Sequence, residues 1–183
     1  MQTGTGGASL AVTRFLEDKM RSRDIRADFA LGGITATMVD LHEKGLIRKL
    51  LDVQSFDSHA AQSLARNPNH IEISANQYAN WGSKGASVDR LDVVVLSALE
   101  IDTQFNVNVL TGSDGVLRGA SGGHCDTAAG AKLAIIIAPL TRARLPLVVD
   151  RCLCISTPGK TVDVVVTQRG IAVNTAGGKN QEL

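Results

Sequence analysis

The chain has 183 residues, 44% of them hydrophobic but only 3% aromatic, and a formal net charge of +1. That length supports a real core, built from Ala, Val, Leu and Ile as buried parallel strands usually are. Near-neutral charge and scattered aromatics (Trp81, Tyr78 and four Phe) exclude a basic nucleic-acid footprint and a base-stacking platform.

Gln2 to Gly7 opens the chain as a glycine-rich loop with no strand before it. Ala8 to Arg21 has helical spacing, with Leu10, Val12, Phe15, Leu16 and Met20 apolar. Asp28 to Gly33 reads as a short strand ending in a glycine turn. Thr35 to Lys44 reads as a helix with Met38, Val39 and Leu41 inward and Gly45 as its C-terminal stop. A strand at Leu50–Gln54 leads to Asp57 or Ser58, either of which can cap a helix reaching Arg66, where Asn67-Pro68-Asn69 breaks it. His70 to Ser74 is a strand, and Asn76 to Lys84 is irregular or weakly helical.

Leu91 to Ser97 is a continuous apolar strand; Glu100 to Leu110 alternates, with Asp102–Asn106 suited to a hairpin turn. A glycine loop and short helix precede a strand at Lys132–Ala138, with further strands at Pro146–Asp150, Val162–Gln168 and Gly170–Val173. Asn174 to Leu183 is polar and expected to be disordered. Helices alternating with strands, then hairpin-like strands, predict an α/β fold: a mainly parallel sheet flanked by helices, with an antiparallel extension.

Cys125, Cys152 and Cys154 are an odd set with a C-x-C pair, which reads as reduced thiols rather than a disulfide framework. No basic segment followed by an apolar one opens the chain, and the longest apolar run, Leu133–Leu140, is too short to span a bilayer. A cytoplasmic protein without membrane or nucleic-acid partners is expected. No Cys, His or carboxylate cluster has metal-ligand spacing, so no metal is expected.

The densest chemistry lies in Gly119-Ala-Ser-Gly-Gly-His-Cys-Asp126. Gly122 and Gly123 leave backbone N–H groups approachable, while His124 and Asp126 add a titratable ring and a carboxylate at a helix start, where anionic groups are favoured. A tight turn, a structural histidine and a helix-capping aspartate are the alternatives. Glu100 follows a buried strand directly, a common place for site residues in α/β sheets, although a solvated hairpin residue reads equally. Gly6 and Gly7 can cradle an anion, but their spacing is not that of a dinucleotide loop.

Gln2-Thr-Gly-Thr-Gly-Gly-Ala-Ser-Leu, Ala30-Leu-Gly-Gly-Ile-Thr, Leu51 to Asp57, Ser97 to Asn108, Gly119 to Asp126 and Arg169 to Asn174 together resemble the citrate lyase α chain family. The resemblance runs from Gln2 to about Asn174 and implies the CoA-transferase (NagB/RpiA-like) α/β fold, with residues 1–174 as a CoA-transferase-like domain. The family chain is longer, and this sequence resembles most of its second half. Thr175 to Leu183 does not resemble the family's continuation, which reads as a truncated or frame-disrupted end.

The resemblance implies a citrate CoA-transferase that turns acetyl-S-ACP and citrate into citryl-S-ACP and acetate. It implies no cofactor on this chain, a CoA-like phosphoribosyl-dephospho-CoA arm on the partner acyl carrier (γ) subunit, and a lyase (β) subunit as second partner. Related CoA-transferases carry a nucleophilic glutamate in a Gln-Ser-Glu-Asn stretch; here the residues are Gln54-Ser55-Phe56-Asp57. Phe56 cannot act as nucleophile, so direct exchange through a mixed anhydride is expected, with no glutamyl-enzyme. Backbone donors at Gly122 and Gly123 would take the developing oxyanion, an effect worth about 3–4 kcal/mol per donor elsewhere. His124 and Glu100 complete the candidate catalytic set. Asp57, Ser58, Asp126, Gly6 and Gly7, with Arg142 and Arg144 as cations for the carboxylates, form the candidate binding set. A non-catalytic assembly module of the lyase complex stands as the alternative, and a sugar-phosphate isomerase-like enzyme as a weaker one.

Overall fold

Apolar runs separated by capped helices give parallel sheets flanked by helices, as expected. The computed structural model describes residues 1–4 and 6–176. The chain divides into two units, Met1–Leu91 and Asp92–Leu183.

The first unit runs β1 (Gln2–Thr3), α1 (Gly7–Ser22), β2 (Ala27–Ile34), α2 (Ala36–Glu43), β3 (Ile47–Ser55), α3 (Ser58–Arg66), β4 (His70–Glu72) and α4 (Ala75–Ala79). β2, β3 and β4 form a parallel sheet in that order. Its core packs Ala30, Ile34 and Leu50 from the sheet against Met20, Met38, Val39, Leu41 and Ala60 from the helices. α2 stops as foreseen. Gly45 takes φ +73, its N–H reaches the His42 carbonyl at 2.9 Å, and Leu46 N–H reaches the Leu41 carbonyl at 3.0 Å. These are the two bonds of a Schellman end.

Four expectations change. A strand, β1, does precede the opening glycines. β2 runs through Gly32 and Gly33 instead of ending there, with a bulge that sets Gly32 opposite Asp52 and Gly33 opposite Gln54. These glycines serve close approach: a Cβ on Gly33 would lie 1.8 Å from the Phe56 ring, and one on Gly32 3.0 Å from the Gln2 carboxamide. α1 buries its apolar stripe only in part, through Met20 and the half-buried Leu16. Ser9, Thr13 and Met20 are inward, whereas Phe15 is 71% exposed. Small side chains on the buried face let the helix lie close, and Thr13 Oγ1 donates to the Leu10 carbonyl at 2.6 Å. The stretch read as irregular or weakly helical from Asn76 begins in a regular helix, α4, started by a capping box in which Ser74 and Gln77 exchange bonds.

Asp57 organises the helix ends. Its Oδ1 accepts from Ala60 N–H at 2.8 Å, capping α3, and its Oδ2 accepts from Ala36 N–H at 2.7 Å at the start of α2. Burial pushes its carboxyl up. The N–H donors of Ala60, Ala36 and His59 and the charge of His59 outweigh that and hold it below the usual carboxylate value.

The second unit holds β5 (Val93–Ser97), β6 (Glu100–Asp102), β7 (Val107–Asn108), α5 (His124–Gly130), β8 (Leu133–Ile137), β9 (Thr141–Arg142), β10 (Leu145–Pro146), β11 (Val148–Val149), β12 (Val164–Thr167) and β13 (Gly170–Val173). β8 lies between β5 and β12, all parallel, and β13 adds antiparallel to β12. β6 pairs antiparallel with β7 and parallel with β11. The turn from β6 to β7 is built on Asp102, whose Oδ1 accepts from Gln104 N–H at 2.9 Å and Asn106 N–H at 3.0 Å. Asn174 is not part of a loose tail: it is 5% exposed and donates to the Gly159 and Val162 carbonyls at 2.9 Å each. Thr175 and Ala176 form a turn, and the rest of the expected disordered tail lies outside the described residues.

Two substitutions test these constraints. Asp57→Ala lowers unfolding free energy by about 1–2 kcal/mol, as loss of a strong N-cap does, measured by urea titration at pH 7. Because the folded carboxyl is the stronger acid, that difference is present above pH about 4 and disappears as pH falls through the lower folded value. A Cβ on Gly159 would lie 2.0 Å from the Gln104 carbonyl oxygen, a backbone atom. Gly159→Ala therefore costs about 1–3 kcal/mol by the same measurement.

Candidate functional site

The sequence candidates fall into two groups, one in each unit. In the first unit, Gly7 and Asp57 line an open groove of about 580 Å³ together with Leu10, Ala11, Arg14, Phe56 and Thr35 to Thr37. Gly6 is the N-cap of α1 and adds no side chain there; no acidic residue occupies the first turn. The positive end of a 16-residue helix thus opens beside the groove. Thr35 caps α2 without using its side chain, and its Oγ1 lies 3.0 Å from that of Thr37. One of the two hydroxyls donates to the other, which leaves one O–H for an incoming acceptor.

Arg14 is exposed and has no ion pair among the described residues. It was not among the candidate cations, although the signal was present. Gly7, Leu10, Ala11 and Arg14 are spaced i, i+3, i+4 and i+7, one face of a helix that starts at the glycines. Phe56, where related enzymes place a glutamate, lays an apolar wall 47% exposed along the groove, its ring over Gly33. Asp57 lines the groove with both oxygens already accepting from backbone N–H groups. Ser58 is the exposed first residue of α3.

In the second unit, Gly122 takes φ +48 and is exposed, and Gly123 is the N-cap of α5. Among the described residues neither N–H donates to a backbone or side-chain acceptor, whereas the next one, His124 N–H, reaches the Ser121 carbonyl at 2.9 Å. The His124 ring is engaged at both nitrogens: Nε2–H donates to the Ser97 carbonyl at 2.9 Å, and Nδ1 lies 2.7 Å from Thr157 Oγ1. Burial lowers its pKa, against the Ser97 contact, which favours protonation. A neutral ring then accepts from the Thr157 hydroxyl. Asp126 sits in the first turn of α5, not at the cap.

Glu100 is 3% exposed. Ser113 Oγ donates to its Oε1 and Asn108 Nδ2 to its Oε2, so its carboxylate knits the turn after β7. Arg142 and Arg144 are exposed on the β9–β10 hairpin, whose turn places Ala143 and Arg144 at φ +47 and +71. The three cysteines are free. Burial and then Asp102 and Glu100 push the Cys152 thiol up to about 12, and burial and Asp126 raise Cys125, which keeps both protonated at neutral pH. Among the described residues one group, Asp40, Glu43 and His59, has potential metal-ligand atoms within 4.8 Å of one another, all exposed. No described helix is long and apolar enough to cross a membrane.

Residues 1–182 match the family model of the citrate lyase alpha subunit (CitF). The chain is 87% identical over 176 residues to the citrate lyase alpha chain of Escherichia coli K12, covering 96% of this chain and 34% of that one. A Streptococcus mutans alpha subunit of citrate lyase, solved in complex with citrate, superposes with a TM-score of 0.92 at 61% identity, covering 95% of this chain and 35% of that one. The alpha subunit of a malonate decarboxylase from Acinetobacter baumannii shares the fold, with a TM-score of 0.72 at 13% identity over 98% of this chain and 41% of its own. The chain spans about a third of the length of the curated relatives it matches. It belongs to the citrate lyase alpha subunit family.

Proposed function

We propose that the groove of the first unit binds a carboxylate of citrate, and that the chain supplies this part of a citrate-for-acetate exchange on an acyl-carrier thioester. One observation carries the reading: an arginine with no ion pair among the described residues, a helix N-terminus free of acidic side chains and a hydrogen-bonded pair of hydroxyls with one O–H to offer line the same groove. Arg14 offers a planar fork that fits a carboxylate, and the α1 end adds positive potential at short range. The citrate complex of the Streptococcus mutans relative supports the choice of ligand.

The exchange runs without an enzyme acid or base. A citrate carboxylate oxygen attacks the acetyl thioester carbonyl, the C–S bond breaks, and the carrier thiolate leaves. The mixed acetyl–citryl anhydride then takes the thiolate at its citryl carbonyl, and the C–O bond breaks to release acetate. Each addition concentrates charge on one oxygen, which backbone N–H donors stabilise; within the second unit, the Gly122 and Gly123 N–H groups donate to no acceptor among the described residues. Phe56 offers no nucleophile, in keeping with direct transfer. The carrier arm and the lyase subunit are the partners of this reading. Because the chain spans a third of its relatives, complete turnover belongs to the assembled complex.

Arg14→Ala raises the citrate Kd at least about tenfold, the scale of one lost charged hydrogen bond, in calorimetric titration of the chain, with its far-UV CD unchanged. Unchanged affinity removes the groove as the citrate site. Gly122→Val lowers acetyl-thioester/citrate exchange in the assembled complex by about 10²–10³-fold, as loss of an oxyanion donor does, while citrate affinity stays the same. Full exchange in that variant removes the glycine turn from the chemistry, and tight citrate binding by the chain without exchange in the complex favours the assembly-module alternative.

A further inference from the structure

Beneath the groove lies a buried polar chain that the exchange reaction does not use. Asp52 on β3 is 1% exposed and His70 on β4 is 4% exposed. His70 Nε2 is 3.1 Å from Asp52 Oδ2, and the same oxygen accepts from Ser55 Oγ at 2.5 Å. The other ring nitrogen, Nδ1, lies 3.0 Å from Ser63 Oγ on α3. Asp52 Oδ1 is buried and has no partner among the described residues.

A buried carboxylate with one oxygen unpartnered is costly, and apolar residues would fill the space more cheaply. What the polar pair supplies is fixed geometry. Ser55 and Ser63 stand on either side of Phe56 and Asp57 in sequence, and both hydroxyls end on this one pair. The segment between them is the groove wall. The backbone agrees: Phe56 N–H donates to the Ile34 carbonyl at 2.9 Å at the end of β2.

We propose that Asp52 and His70 are positioning residues for the groove: through Ser55 and Ser63 they fix where the Phe56–Asp57 wall stands, and so the affinity for a carboxylate ligand. This rests on the reading of the groove as the citrate site. The arrangement works with a neutral ring, Nε2–H donating to Asp52 and Nδ1 accepting from Ser63. Burial favours that state, opposed by Asp52, while the charge of His42 on α2 adds to it. α3 contributes the Ser63 hydroxyl. Protonation puts a hydrogen on Nδ1, and the Ser63 oxygen then accepts from it, so the contact reverses direction and the clamp holds in either state.

The test is calorimetric titration of citrate into the chain and its His70→Gln, Ser55→Ala and Arg14→Ala variants from pH 8 to pH 5, with far-UV CD and melting curves alongside. His70→Gln and Ser55→Ala keep their secondary structure and bind citrate about tenfold more weakly at pH 8, the effect of loosening the support of a binding group. The Kd ratio of His70→Gln to the parent chain stays the same from pH 8 to pH 5, because Ser63 serves the ring as donor or acceptor; the titration of citrate cancels in the ratio. Parent-like affinity at every pH in both variants, with only the melting temperature lowered, overturns the proposal while Arg14→Ala still fails to bind. Unchanged binding by Arg14→Ala overturns the groove reading itself, and this proposal with it. Should His70→Gln not fold, Ser55→Ala alone decides.

Discussion

One carboxylate sets the geometry of the first unit. Asp57 takes the first N–H of α2 on one oxygen and an α3 N–H on the other. Two helix N-termini are thereby held to a single side chain, and their orphan donors are satisfied without closing the groove. The consequence is an economy of charge. Asp57 is spent on backbone donors, α1 has no acidic side chain in its first turn, and Arg14 stands unpaired. What remains facing the groove is a surplus of donors. An anionic ligand with oxygens to share is the chemistry that such a surface complements.

The second unit follows a different logic. Three of its titratable groups are turned inward and used. Glu100 braces Asn108 and Ser113, Asp102 builds the turn after β6, and His124 bridges Ser97 and Thr157. Its buried thiol is held protonated by burial and by those same carboxylates. The backbone N–H groups of Gly122 and Gly123 donate to no acceptor among the described residues. Gly122 takes φ +48, which a side chain would resist. A transfer that needs only charge stabilisation, and no proton relay, suits a unit built this way.

The regular elements were legible because their signals are local. Gly45 announced the end of α2, Asp57 the start of α3, and unbroken apolar runs the parallel strands β5 and β8. The second bond of Asp57 was not legible, since Ala36 lies 21 residues away in sequence. Gly32 and Gly33 looked like a turn because sequence shows a missing Cβ but not the ring or carboxamide that needs the space. The Ser74–Gln77 box was present as a pattern and went unread against weak helical periodicity. The β9–β10 hairpin carries no turn glycine: Ala143 and Arg144 hold the left-handed conformation instead. Of the site, Gly7 and Asp57 were legible from their types, while Arg14 needed the helical phase of α1, and Phe15 shows how that phase misleads when small polar residues take the buried face.

The central claim is that the first unit's groove holds the citrate carboxylate. A ¹⁵N-resolved NMR titration of the chain with citrate tests it most directly. The account predicts saturable shifts at the amides of Gly7 and Thr35 to Thr37 and at the Arg14 side-chain Nε–H. Shifts confined to residues around Gly122, or none at saturating citrate, would contradict it.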